Sequence, residues 1–249
     1  MIKKIWVITI LFIIIPAVCM AVKKKVTVYA YHLKPPFIVN LDKEKGLYFD
    51  FSKYMNSRLA DYHFVTVFRP KKRIEKYLKK KEMDGILLGV NPVWYGDKEE
   101  KKYLWTSKIY SDQDEMISLI KLSFVYNGPE SLIGKRLGGV LGFFYHSIGE
   151  LVDKGQIYRD NVISEEAVIK KIFSGRVDVG IVSRSTFNYY VERRGEWQGK
   201  FFISPKPHDV FDRRILVPIE NKALYNDIYP IIEKISEDEK WVKFINGYR

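Results

Sequence analysis

Cysteine is nearly missing from this sequence: Cys19 is the only one in 249 residues. It falls inside the apolar opening of the chain, so residues 22–249 can build neither a disulfide framework nor a thiolate metal site. Histidine is also scarce. His32, His63, His146 and His208 share no ligand-like spacing with one another or with carboxylates, which argues against a metal centre. No Gly-x-Ser-x-Gly elbow occurs, and no thiol is available as a nucleophile. The segment from Gly128 to Arg136 puts five residues between its glycines and follows Lys135 with Arg136. A phosphate loop needs four residues there and a hydroxyl after the lysine, so that reading is rejected. No cofactor, metal or catalytic residue is expected from these motifs.

Long apolar runs are limited to one. After Met1, Lys3 and Lys4 the chain runs apolar over 5–18 and then reads Cys19-Met20-Ala21. A membrane span needs about 20 apolar residues, and Pro16 interrupts this run near its end. A short cationic start, an apolar core and a small residue at the cut describe a signal peptide over 1–21, with a periplasmic destination. Val18 before Cys19 fits a lipoprotein signal poorly. What remains is long enough for one large core or two modest ones.

Acidic residues are outnumbered, 30 against 42 basic, for a net charge of +12. Such an excess permits attraction to nucleic acid, anionic surfaces or acidic solutes, and export weighs against nucleic acid. The helix predicted over 70–81 carries most of its lysines opposite Ile74 and Leu78, the pattern of a solvated face.

The rest alternates strands with helices. The patterns predict strands over 26–31, 63–68 and 83–90 with helices over 47–59 and 70–81 between them. A second series follows: strands over 136–141, 162–163 and 177–182, and helices over 145–154, 165–174 and from 183 to about 193. Ser164 and Ser183 are expected as helix caps. The end holds a strand over 215–218 and two helices, the last opening on a capping box at Ser236. Two βαβ series argue for mostly parallel sheets flanked by helices.

With that order in hand, the chain resembles the family 3 extracellular solute-binding proteins, the type II periplasmic fold. The resemblance rests on Pro36-Phe37, on Gly46-Leu47-Tyr48-Phe49-Asp50-Phe51, on Met83-Asp84-Gly85-Ile86 and on Trp105-Thr106-Ser107-Lys108-Ile109-Tyr110. It continues through Leu132-Ile133-Gly134-Lys135-Arg136-Leu137-Gly138 and Ser174-Gly175-Arg176-Val177-Asp178. It implies an α/β fold of two lobes joined by a two-strand hinge, with crossings near 110–114 and 209–213. Lobe I would be 22–111 plus 213–249 and lobe II 112–212. It further implies a monomer that closes on a small-molecule solute and delivers it to the membrane permease of an ABC importer.

The departures from the family bear on the ligand. Trp94-Tyr95-Gly96-Asp97 stands where amino-acid binders place an arginine for the ligand carboxylate. Ser183 stands where they place an aspartate for the ammonium, and Phe143 where they place a small hydroxyl residue. Cleft positions implied by the resemblance are Tyr31, His32, Asn91, Trp94, Tyr95, Phe143, Tyr145 and Ser183, with Arg73 and Arg184 as substitute charge clamps. Aromatic faces with few polar tips suit a partly apolar, neutral or cationic solute. Two alternatives stand beside transport. One is an enzyme on the same fold, like a cyclohexadienyl dehydratase, which needs a buried carboxylate beside a cationic clamp. The other is a sensor that binds without transporting. The export reading predicts that mass spectrometry of periplasmic protein finds a mature N-terminus near Val22; an intact Met1 on a membrane-bound product would contradict it.

Overall fold

Apolar runs flanked by turn residues set the strands, and the computed structural model describes them over residues 22–248. The expected signal peptide lies outside the described residues. The first half builds β1 (Lys24–Ala30), α1 (Leu47–Arg58), β2 (Tyr62–Phe68), α2 (Lys71–Lys79) and β3 (Gly85–Val90). The three strands are parallel, in the order β2-β1-β3. Every residue of β3 is buried, as its unbroken apolar run requires of a strand covered on both faces. α2 buries only Ile74 and Leu78, and its lysines are exposed.

The chain then passes through β4 (Leu104–Trp105) into the long β5 (Tyr110–Leu119) and a second parallel unit. That unit comprises β6 (Arg136–Val140), α3 (Gly149–Asp153), β7 (Tyr158–Val162), α4 (Glu165–Phe173), β8 (Val179–Ser183), α5 (Arg184–Arg193) and β9 (Phe201–Ile203). β6 pairs in parallel with β7 and β8, and β5 closes the set antiparallel to β8. β10 (Asp209–Val217) returns the chain to the first unit, where α6 (Lys222–Glu233) and α7 (Glu239–Asn246) finish it.

Two strands therefore carry both connections. β5 and β10 pair antiparallel over Tyr110–Arg213 to Asp114–Asp209, and β10 continues into the first sheet beside β3. The result is two lobes, each a mostly parallel sheet between helices, joined at a two-strand hinge. Their cores are separate. Those of lobe I draw their buried residues from 26–109 and 215–241, those of lobe II from 116–197.

Several local expectations shift. The helix predicted over 145–154 is reduced to α3, because Tyr145 is buried and its hydroxyl accepts from Val140 N at 3.0 Å, which holds the start of that segment as a loop. Pro70 precedes α2 as its cap residue rather than opening it. Ser164 caps α4 through Ala167 N at 3.2 Å. Ser183 makes no cap bond to α5, since its hydroxyl is committed elsewhere. The last helix is capped by Asp238, not Ser236: Asp238 Oδ1 accepts from Lys240 N at 2.9 Å and Trp241 N at 3.4 Å.

Trp241 fastens α7 to lobe I. It is fully buried, stacks edge-on against Phe51 at 5.8 Å and donates its indole N–H to Ile109 O at 3.1 Å. Trp241→Ala should cost about 3–5 kcal/mol in chemical denaturation, from the cavity and the carbonyl left unpaired. A loss under about 1 kcal/mol would show that the helix is not part of the cooperative core.

Candidate functional site

Opposed residues of an antiparallel pair share a face, so Tyr110, Asp112 and Asp114 of β5 lie with Arg213, Phe211 and Asp209 of β10. Arg213 and Asp112 are both 1% exposed in their side chains and form an ion pair at 3.0 Å. A buried charge of this kind must have its remaining hydrogen bonds met. Arg213 Nη1 donates to Gly89 O at 3.2 Å and approaches His32 Nε2 at 3.4 Å, and its guanidinium lies 4.1 Å from the Phe37 ring. Asp112 also accepts from Ser185 Oγ at 2.8 Å and Ser185 N at 3.2 Å, at the start of α5. The hinge pair thus ties the floor of lobe I to the first turn of a lobe II helix.

Arginine can only donate, so His32 Nε2 is the acceptor and Nδ1–H faces the Tyr48 hydroxyl at 3.3 Å. Burial, then the Arg213 charge, hold the His32 imidazole well below its ordinary pKa, in agreement with that neutral form. Gly89 is required here. It sits at φ +76°, and a Cβ would come within 1.8 Å of the Tyr48 hydroxyl.

A second charged group crosses between the lobes. The loop after β1 carries Lys34, whose Nζ lies 2.6 Å from Glu165 Oε1 and also bonds Ser183 Oγ. Ser183 in turn donates to the same carboxylate oxygen at 2.8 Å. The side chains are 11% and 3% exposed for Lys34 and Glu165, so the pair is largely out of water. Beside it, Thr186 Oγ1 donates to Pro35 O at 2.7 Å. Glu165 Oε2 is buried with no hydrogen-bond partner. Asp114 adds a second carboxyl, pushed up to about 7 by burial, with Lys34 and Arg213 opposing the shift and Glu165 and Asp112 adding to it. The junction of the lobes therefore holds two carboxylates paired with cations and a third carboxyl, Asp114, whose neutral form burial favours.

No family model and no curated protein sequence matches this chain. Solved structures do. A mutant of the T. maritima arginine-binding protein is 16% identical, with a TM-score of 0.68, covering 90% of this chain and 94% of that one. The GluR0 ligand-binding core in complex with L-glutamate is 14% identical at TM-score 0.69, covering 92% and 99%. The B. pertussis BvgS periplasmic domain is 17% identical at TM-score 0.68 and covers 90% of this chain, which spans 42% of that longer one. The chain has the two-lobed periplasmic-binding fold. At these identities it is a divergent example of that fold.

Within this fold the expected cleft residues are distributed unevenly. His32, Trp94 and Ser183 meet the buried charges directly; Trp94 stands 4.9 Å edge-on to Phe211 and 5.7 Å from the Arg213 guanidinium. Tyr31 stacks on His32 at 4.0 Å between ring centres, and Phe143 lies 5.8 Å from Lys34 Nζ. Asn91 and Trp94 line a cavity of about 380 Å³ at one side of the hinge, with His146, Lys206 and His208 opposite. The Asn91 side-chain oxygen is occupied by Val93 N at 2.8 Å. Tyr95 packs into a lobe I core and Tyr145 into a lobe II core.

The two expected clamps lie elsewhere. Arg73 is exposed on α2. Arg184 donates to the fully buried Glu115 at 2.6 Å and lines a separate cavity of about 410 Å³ on the other side of the hinge. Lys34 and Arg213 are the cations brought to the lobe junction, and both are paired. Asp97, in the segment where amino-acid binders place an arginine, accepts from Lys101 N, Lys102 N, Tyr103 N and Trp105 Nε1 at 2.8–3.1 Å and organises its own loop. From sequence, Asp114 and Arg213 stand out only as ends of the expected crossings, and Glu165 is accounted for by its place at a helix start. The signal for Asp114 is a strand that spells Asp112-Gln113-Asp114-Glu115 where the chain crosses between lobes.

Asp114 generates a pH prediction. Its folded value of about 7 exceeds the ordinary 3.8, so the folded state holds this proton more tightly than the unfolded state. Its contribution to stability therefore falls as pH rises from about 4 through 7. Asp114→Asn should melt a few degrees above the parent at pH 8 and close to it at about pH 4. Referencing each variant to the parent cancels the other titrating groups. An equal difference at both pH values would contradict the shifted carboxyl.

Proposed function

We propose that this chain is an exported, monomeric solute-binding protein whose lobes, 22–111 with 213–249 and 112–212, close on a small, partly apolar amine or related cation. Delivery to the membrane permease of an ABC importer is the step that would follow. The observation that carries this reading is an unmet acceptor at the lobe junction: Glu165 Oε2 is buried without a partner, while Lys34 and Arg213 are already paired. Tyr31, Trp94 and Phe143 supply aromatic faces of the kind that attract cations. A zwitterionic amino acid would bring a carboxylate to a junction whose buried cations, Lys34 and Arg213, are already paired, and burying that group unpaired is costly.

The solved neighbours are named for arginine and glutamate, which supports a small polar solute but not those two in particular. One observation favours a dehydratase-like reading: a carboxyl near pKa 7 beside Lys34. Such an enzyme also needs free cations for its substrate acids, and the pairing of Lys34 and Arg213 argues for binding instead.

A ligand at a hundred times its Kd stabilises a protein by about 2.7 kcal/mol, several degrees for a chain of this size. In a thermal-shift screen of metabolites, the twenty common amino acids should give no such shift at millimolar concentration, whereas an amine without a carboxylate should. Trp94→Ala should weaken that binding about tenfold or more. A saturable shift with arginine, glutamine, histidine or glutamate would overturn the ligand class, and no shift with any solute would overturn the binding reading.

A further inference from the structure

Among the described residues, three side-chain hydrogen bonds run directly from lobe I to lobe II outside the hinge strands. They are Lys34 to Glu165, Lys34 to Ser183 and Thr186 to Pro35. All three meet lobe I in one turn, Lys34-Pro35. These contacts thus rest on a single short segment of lobe I, and their only charged member is a primary ammonium held by a carboxylate and a hydroxyl.

That ammonium is a chemical copy of the ligand group proposed above. A primary ammonium has three donors; two are assigned, to Glu165 Oε1 and Ser183 Oγ. A further acceptor of the same carboxylate, Glu165 Oε2, is buried and unpartnered. Asp114 has Lys34 as its strongest opposing charge. The Phe143 ring lies over the same Nζ at 5.8 Å. A purely structural ion pair in a dry boundary needs its oxygens satisfied. This site keeps one in reserve.

We propose that Glu165 and Ser183 form an ammonium site for which Lys34 competes as a tethered ligand. Lys34 holds the lobes together when no solute is bound, and a soluble primary amine displaces it. The inference rests on the solute-binding reading. A group on a short flexible tether has an effective concentration in the millimolar range. A solute must therefore exceed that through additional contacts, for which Trp94 and Phe143 stand nearby. The lysine in this way sets a threshold against simple amines.

The test removes the tethered group and supplies it in solution. Lys34→Ala in the full exported protein should lower the melting temperature by several degrees and enlarge the radius of gyration in small-angle scattering. Added n-butylamine should restore the melting temperature saturably by filling the site on lobe II, while the radius of gyration stays enlarged because a free amine carries no link to lobe I. Sodium chloride at equal ionic strength should not, and Lys34→Ala combined with Glu165→Gln should lose the rescue. Lys34→Gln provides the same comparison should the alanine variant fold poorly. An unchanged profile and melting temperature in both variants, or butylamine acting no better than salt, would overturn the proposal. Because butylamine is itself the probe, a screen that finds solutes while rescue fails sinks only the tether. Rescue without any solute from the screen leaves the ammonium site standing and sinks the transport reading.

Discussion

A lysine ammonium enclosed between two protein surfaces must find acceptors on one of them, because the loss of its hydration is otherwise uncompensated. Lys34 extends from a lobe I loop and finds both of its acceptors on lobe II, at Glu165 and Ser183. The consequence reaches through the whole junction. Pro35 comes within bonding distance of Thr186, Ser183 is withdrawn from capping α5, and the second carboxylate oxygen of Glu165 is left without a donor. Beneath this contact the Arg213–Asp112 pair solves the same problem inside the hinge. Its partners are shared among β3, β10 and the first turn of α5.

The two charge networks divide the work of the junction. Arg213 is held by an ion pair, a carbonyl, an imidazole and three aromatic faces, all of them within the hinge and its floor. Such an over-determined group has one arrangement and serves as an anchor. Lys34 has two polar partners on a lobe joined to its own by only two strands, so its contact is the part that can break as the lobes separate. In the proposed closure, the Lys34 contact is one that forms only when the lobes meet.

The fold was legible because each element carried a local signature. β3 is an unbroken apolar run, α4 opens on a serine cap with two acids, and the crossings fall where Tyr110–Asp114 and Asp209–Arg213 pair. The departures Trp94-Tyr95-Gly96-Asp97 and Ser183 were equally visible, and they led to a ligand class without an amino-acid clamp. What could not be read was direction. Glu165 has a full explanation as a first-turn acid beside a helix dipole, and nothing local shows that it turns toward a lysine 131 residues away. Asp97 resembled a cleft charge and proved to bind four N–H groups of its own loop. Arg73 and Arg184 were plausible by type, while the arginine that enters the junction, Arg213, sits on the return strand. Long-range pairing of buried charges has no periodicity, and so leaves no trace in a single sequence.

The central claim is that the lobes are held together by the chain's own ammonium before any solute arrives. Residues 22–249 contain no cysteine, so two can be introduced without interference, at the exposed Asp42 of lobe I and Lys154 of lobe II. The distance distribution between spin labels at these sites, measured without solute, tests the claim directly. A single narrow population that broadens to longer distances on Lys34→Ala is the predicted result. A broad, open distribution in the parent protein, unaltered by the substitution, would contradict it.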